Sequence, residues 1–273
     1  MGIFAFSVSA EERDQDRVLS IGGSVTEIVY ALGQEHRLVA RDTTSTFPEP
    51  ANKLPNVGYM RALSAEGVLS VNPNLIISEE GAGPPEVIEI LQGASVPFFE
   101  IPDQYDRDGI AEKISAVGVA LGVPDKASAL ATKVRNELKE AEARSAAHLG
   151  AKKRVLFVLS TRGGRILASG TNTAANGIIT MAGAENAITE FEGYKPVSDE
   201  AIGAAAPDVI LMMDRGGDHS AANAELFAMP ALRGTPAAQS ESVLRMNGLY
   251  LLGFGPRTAQ AIVDLNTLLY AEH

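Results

Sequence analysis

Gly58-Tyr59-Met60-Arg61-Ala62-Leu63-Ser64-Ala65-Glu66 opens a unit that the chain writes twice. Its helix start at Ser64-Ala65-Glu66 leads through a short helix to Ser70, then Pro73 and the apolar run Leu75-Ile76-Ile77. The plan returns as Gly193-Tyr194, Ser198-Asp199-Glu200, a short helix to Ala206, Pro207 and Val209-Ile210-Leu211. In both copies the glutamate stands two residues after the serine and seven before the proline. Outside the unit, Arg17-Val18-Leu19 is echoed by Arg154-Val155-Leu156, and Ile28 to Gly33 by Ile178 to Gly183. A period of more than about one hundred residues marks duplicated domains rather than a solenoid.

Between these landmarks strands alternate with helices. Short aliphatic runs at 17–21, 38–40, 75–77 and 96–101 read as strands, the last an edge strand because of Pro97. Helices are expected over 25–32, where Ser24 and Glu27 have the spacing of a capping box and Gly33 that of a stop, and over 86–92 and 108–121. The passage with Pro48, Pro50 and Pro55 is barred from regular helix and stiffens the approach to Tyr59. Asp125 to His148 carries the longest helical pattern, roughly 35 Å at 1.5 Å per residue, and its place between the two copies favours a strut joining two lobes over one more covering helix. Strands resume at 154–159, 209–211 and 243–244, followed by a closing helix over 258–272. The fold class expected is therefore α/β: two similar lobes, each a mainly parallel sheet with helices on both faces, joined by one long helix. The implied division is 1–16 as a leader remnant, 17–124 as the first lobe, 125–150 as the connection and 151–273 as the second lobe.

At 273 residues, 45% hydrophobic and 21% charged, the chain has the make-up of a water-soluble protein with a sizeable core. A net charge of −11 without a Lys/Arg-rich run argues against nucleic acid or an anionic membrane surface as main partner. With no cysteine, disulfides, thiolate metal sites and a cysteine nucleophile are excluded together. No apolar run is long enough to span a bilayer. Ile3 to Ala10 is a short apolar run ending in Val8-Ser9-Ala10 before Glu11-Glu12-Arg13-Asp14, which reads as the trimmed end of an export signal.

Four histidines, His36, His148, His219 and His273, are far apart in sequence and form no paired-ligand spacing. His219 is the one placed in a long loop. Ile21-Gly22-Gly23-Ser24 and Gly253-Phe254-Gly255-Pro256-Arg257 are glycine turns without a phosphate-loop pattern. Tyr59 and Arg61 offer a different chemistry. Tyrosine is a poor ligand near its free pKa of about 10, but a guanidinium within a few ångströms favours the phenolate, a hard anionic donor suited to oxidised iron. The plain alternative is a half-buried tyrosine bonded to a loop carbonyl.

Asp42-Thr43-Thr44-Ser45, the run from Gly58 to Leu69, and Tyr250-Leu251-Leu252-Gly253-Phe254-Gly255-Pro256-Arg257 together resemble the haem-binding periplasmic proteins of bacterial ABC haem importers. These belong to a wider class of binding proteins that also carry cobalamin and ferric siderophores. The resemblance runs from about Arg17 to the C-terminus, with Gly-Tyr-Met-Arg-Ala-Leu its specific part. It implies Tyr59 as axial ligand of ferric haem, Arg61 as its hydrogen-bonding partner, and Glu66 and Glu200 as the two acids offered, one per lobe tip, to arginines of a permease. A duplicated acid suits a two-fold symmetric partner, and an acid in a first helical turn is also favoured by the helix dipole. Some relatives add a histidine near the turn after the first strand of the second lobe. Here that turn reads Ser160-Thr161-Arg162-Gly163-Gly164-Arg165, so five-coordinate iron on Tyr59 is expected, with Arg162, Arg165 or Arg215 available to the propionates.

The resulting expectation is a monomeric, non-enzymatic periplasmic protein that holds haem between its lobes and hands it to an ABC permease. The same architecture carrying a ferric siderophore or cobalamin would use Tyr59 only to line a pocket. An α/β enzyme with its active site between the lobes would rest on the glycine turns alone.

Overall fold

The computed structural model describes residues 17–214 and 223–271. Ile3 to Ala10, Arg215 and His219 lie outside the described residues. In the first lobe β1 (Val18–Ile21), β2 (Leu38–Arg41), β3 (Leu75–Glu79) and β4 (Phe98–Ile101) form a parallel sheet of order β2-β1-β3-β4. Its helices are α1 (Gly23–Ala31), α2 (Ala65–Leu69), α3 (Pro85–Gln92) and α4 (Arg107–Ala120). The 23-residue helix α5 (Pro124–Ala146) follows.

The second sheet has the order β10-β9-β5-β6-β8, built from β5 (Arg154–Ser160), β6 (Ile166–Ser169), β8 (Tyr194–Val197), β9 (Val209–Asp214) and β10 (Val243–Asn247), with the two-residue β7 (Glu185–Asn186) also on β5. Between these strands lie α6 (Ala174–Met181), α7 (Asp199–Ala205), α8 (Asn223–Ala228) and α9 (Pro236–Gln239), and after them α10 (Gly248–Leu252) and α11 (Thr258–Tyr270). The duplication is visible in the pairing: β5, β9 and β10 are mutually parallel like β1, β3 and β4, and β7 follows α6 as β2 follows α1. What differs is β6 and β8, which run antiparallel. The turn at Gly163-Gly164, both with positive φ, sends the chain back as a strand before α6 begins. Pro196 sits in β8 at the sheet edge, where its missing N–H costs least.

Central strands are apolar on both sides, as parallel sheets covered by helices require. Val18, Leu75, Ile77, Val155, Phe157, Val209 and Leu211 point to one core, whereas Leu19 and Ile76 point to a second, and Leu156 and Ile210 to a third. The first of these cores is shared. It runs through α1, α4, α5, α6, α10 and α11 and joins both sheets through one apolar layer. Each fully buried Ile or Phe in it contributes roughly 1.5–3 kcal/mol. On α5 the buried positions Ala127, Ala131, Val134, Leu138, Ala141 and Ser145 repeat every three or four residues, giving one stripe that meets α4 and α11. The long helix therefore crosses between the lobes and also covers both.

The expected capping box at Ser24 and Glu27 is not formed. Helix α1 starts at Gly23 on Gly22, whose φ of 105° and approach to Glu79 admit little but glycine, and no side chain caps it. Ser24 and Glu27 are almost fully buried and serve other partners.

Candidate functional site

The carboxyl ends of β1, β3, β4, β9 and β10 converge on a cleft of about 580 Å³ between the lobes, the place where open α/β sheets present ligand sites. Tyr59, Met60, Arg61, Thr44, Glu79, Asp103 and Tyr105 line it from the first lobe. Tyr194, Met213, Asn247, Leu249 and Leu252 line it from the second.

Tyr59 is delivered by a pinned loop. Gly58, at φ 106°, gives its carbonyl to the Thr43 amide (2.8 Å), and Met60 and Leu63 bond to the Gly83 backbone at 2.8 and 2.9 Å. Met60 turns into the core at 7% exposure, which directs its neighbour outward: Tyr59 is 48% exposed, a large aromatic surface left open to the cleft. Arg61 is exposed and shares no hydrogen bond with Tyr59 here. Its charge is felt across the cleft by Tyr194, the repeat counterpart of Tyr59. Burial pushes the Tyr194 phenol up, while Ala175, Thr173 and Arg61 pull it down.

Asp42 fixes the loop beside the tyrosine. It is wholly buried and accepts from the Gly22 amide (3.0 Å), the Thr44 amide and hydroxyl (2.8 and 2.7 Å) and the Ser45 hydroxyl (2.6 Å). Behind the floor Lys113, with no exposed surface, donates to Asp103 at 2.5 Å, to Ser24 at 3.1 Å and to the Gly253 carbonyl of the second lobe at 3.4 Å. The Ser24 hydroxyl in turn donates a hydrogen bond to Glu79. Burial pushes the Glu79 carboxyl up, Lys113 pulls it down, and Asp103 and Asp42 push it up again. Tyr105 is raised by burial and by Asp103, and packs edge-on against Phe254 of the other lobe at 5.4 Å.

A second cross-lobe contact lies at Arg257. Its guanidinium meets Glu27 at 3.0 Å, its amide donates to the same carboxylate at 3.1 Å, and it stacks over Phe47 at 3.4 Å.

Arg162 is exposed on a short 3-10 turn and is not among the residues lining the cleft. Arg165 is also exposed. Glu66 and Glu200 are exposed and occupy the same second position of α2 and α7, behind serines that cap at 3.1 and 3.2 Å. The backbone amide of Glu200 itself and the Ser198 hydroxyl hold the Glu200 carboxyl below the usual range. His36 is exposed, His148 stacks on Tyr270 at 3.8 Å, and no cluster of metal-binding side chains exists among the described residues. Sequence reasoning missed Glu79, Asp103, Lys113 and Tyr194 as site residues. Two signals were available: an acid ending an apolar parallel strand, and a lone lysine on the apolar stripe Ile110-Ile114-Val117.

A ligand-sized cleft floored by strand ends and walled by two covalently joined lobes defines a two-lobed solute-binding protein. The chain belongs to the periplasmic binding protein family, whose model matches residues 18–248; it is a binding protein and not an enzyme. Among solved structures it is similar to the periplasmic haem-binding protein RhuT from Roseiflexus sp. RS-1 in apo form, with 38% identity, 94% of this chain and 98% of that chain covered and a TM-score of 0.89. Among curated proteins it is 26% identical over 205 residues to the ABC transporter substrate-binding lipoprotein YvrC of Bacillus subtilis, covering 74% of this chain and 65% of that protein, just under two thirds of its length. It is 28% identical over 221 residues to the vitamin B12-binding protein of Yersinia pestis, covering 80% and 75%.

Proposed function

We propose that this protein captures ferric haem in the periplasm and delivers it to an ABC permease. The observation that carries this reading is Tyr59, an exposed phenol on a pinned loop that opens on a cleft with apolar Met60, Met213, Leu249 and Leu252 on its walls. A porphyrin is flat and apolar with one anionic edge. Its faces suit these walls, its iron suits a phenolate, and Arg61 stands beside Tyr59 to stabilise that phenolate or to receive a propionate. Likeness to RhuT over nearly the whole of both chains supports haem over other cargoes. Glu66 and Glu200, set in the same register on capped helices of the two lobes, are the acids that would meet a two-fold symmetric permease. In this reading 17–124 and 151–273 act as the lobes and 125–150 as their connection, and Arg215 joins Arg61 as a candidate for a propionate.

Titration of the purified protein with hemin tests the reading. The wild type should develop charge-transfer bands of tyrosinate-ligated high-spin iron, and Tyr59→Phe should lose them while keeping weaker apolar binding. Bands unchanged in Tyr59→Phe refute the ligand assignment. The oxygen-rich floor of Ser24, Thr44, Glu79 and Asp103 favours a second reading, cobalamin, whose amide groups donate hydrogen bonds. A parallel titration with cyanocobalamin, together with the likeness to the Yersinia pestis protein, keeps that reading open to a direct answer.

A further inference from the structure

The floor of the cleft holds two acids for one cation. Lys113 is completely buried and its charge is taken up by Asp103, whose side chain is 14% exposed. Glu79 reaches that cation only through the Ser24 hydroxyl, and part of its surface opens on the cleft. The other groups facing it offer no positive charge. Asp42 lies behind, already satisfied by its donors, and Tyr105 stands beside Asp103. The second lobe contributes the Gly253 carbonyl and the apolar Leu249. Among the described residues lining the cleft, Arg61 is the one cation.

We infer that Glu79 sets the charge selectivity of the cleft: an anionic ligand is admitted together with one proton, which this carboxyl takes up. The inference rests on the haem reading for its ligand, a flat apolar ring with two carboxylates. Such a ring laid over the floor removes the remaining water from Glu79 and brings negative charge near it, and both changes favour the neutral acid. Glu79 is predisposed to this, because burial already raises its pKa. Asp103 is committed to the buried Lys113, which has no other ion pair among the described residues. The step is a proton binding: one proton moves from solvent to a Glu79 carboxylate oxygen, and no other bond changes. Linkage then requires affinity to fall by about tenfold per pH unit over the interval between the pKa of the empty and filled forms.

Iron ligation by Tyr59 would release a proton and act in the opposite direction, so the test uses metal-free protoporphyrin IX, which keeps both carboxylates and the flat faces. Binding is followed by porphyrin fluorescence from about pH 5.5 to about pH 8.5, and calorimetry in two buffers of different ionisation enthalpy counts the protons. The wild type should lose affinity with rising pH, by up to about tenfold per unit, and take up close to one proton where the slope is steepest. Glu79→Gln should bind at every pH about as tightly as the wild type does in acid, with a flat profile and no uptake. Two results overturn the inference while leaving the haem reading intact: a wild type that binds without taking up a proton, or a Glu79→Gln protein with the wild-type slope. Failure of the wild type to bind either protoporphyrin IX or hemin overturns both.

Discussion

Glu27→Ala probes the seam between the lobes most directly. The Glu27 side chain is 6% exposed and holds Arg257 by two bonds, from the guanidinium at 3.0 Å and from the amide at 3.1 Å, across 230 residues of chain. Removing one partner of a fully buried pair costs about 3–5 kcal/mol, because the other charge is left without compensation. Arg257 is 30% exposed and retains its stack on Phe47, so water recovers part of that loss, and about 2–3 kcal/mol remains. For a chain of this size that is a fall in Tm of about 5–10 °C. Urea denaturation followed by circular dichroism should show a lower midpoint with an unchanged slope. In a double-mutant cycle with Arg257→Ala, the paired change should cost well below the sum of the single ones. A Glu27→Ala protein within about 0.5 kcal/mol of wild type, or strictly additive singles, would show that the seam contributes nothing and that the shared apolar layer alone joins the lobes.

Two further outcomes follow from the charged groups. The folded state raises the Glu79 pKa above the ordinary 4.5, so it binds this proton more tightly than the unfolded chain does. Stability from this group is full below about pH 4.5 and is lost as pH rises through the folded pKa, and thermal melts across that range should show a decline that Glu79→Gln flattens. Replacing Glu66 and Glu200 together by Lys should leave hemin titrations unchanged, because both side chains are exposed and lie outside the cleft lining. Haem uptake by the cognate permease in proteoliposomes should drop by tenfold or so, a change of about 1.4 kcal/mol in docking; unchanged uptake would remove these acids from the docking surface.

Much of the architecture was legible because it depends on periodicity. The repeated Ser-x-Glu unit placed α2 and α7 and their caps, and the aliphatic runs placed β1, β3, β5 and β9. The antiparallel pair β6 and β8 was not legible, since Ile166 to Ser169 is four residues long and follows glycines that equally suit a strand-to-helix turn. Ser24 and Glu27 carried the spacing of a cap, yet tertiary contacts claimed both side chains. Within the cleft Tyr59 and Arg61 stood out because a glycine- and proline-flanked loop displayed them. Glu79, Asp103, Lys113 and Tyr194 did not, because successive members lie 24, 10 and 81 residues apart and only the fold assembles them: Lys113 donates to Asp103 directly and to Ser24, which in turn donates to Glu79.

The sealing of Lys113 has a practical consequence. Its amine is enclosed by groups from both halves of the molecule, so an acylating reagent can reach it only when they part. Lysines on the outer surface of α5, such as Lys133, are open at all times. The ratio of labelling at these two positions, read by mass spectrometry, is thus a built-in gauge of how often the molecule yawns open, with no dye or added probe required.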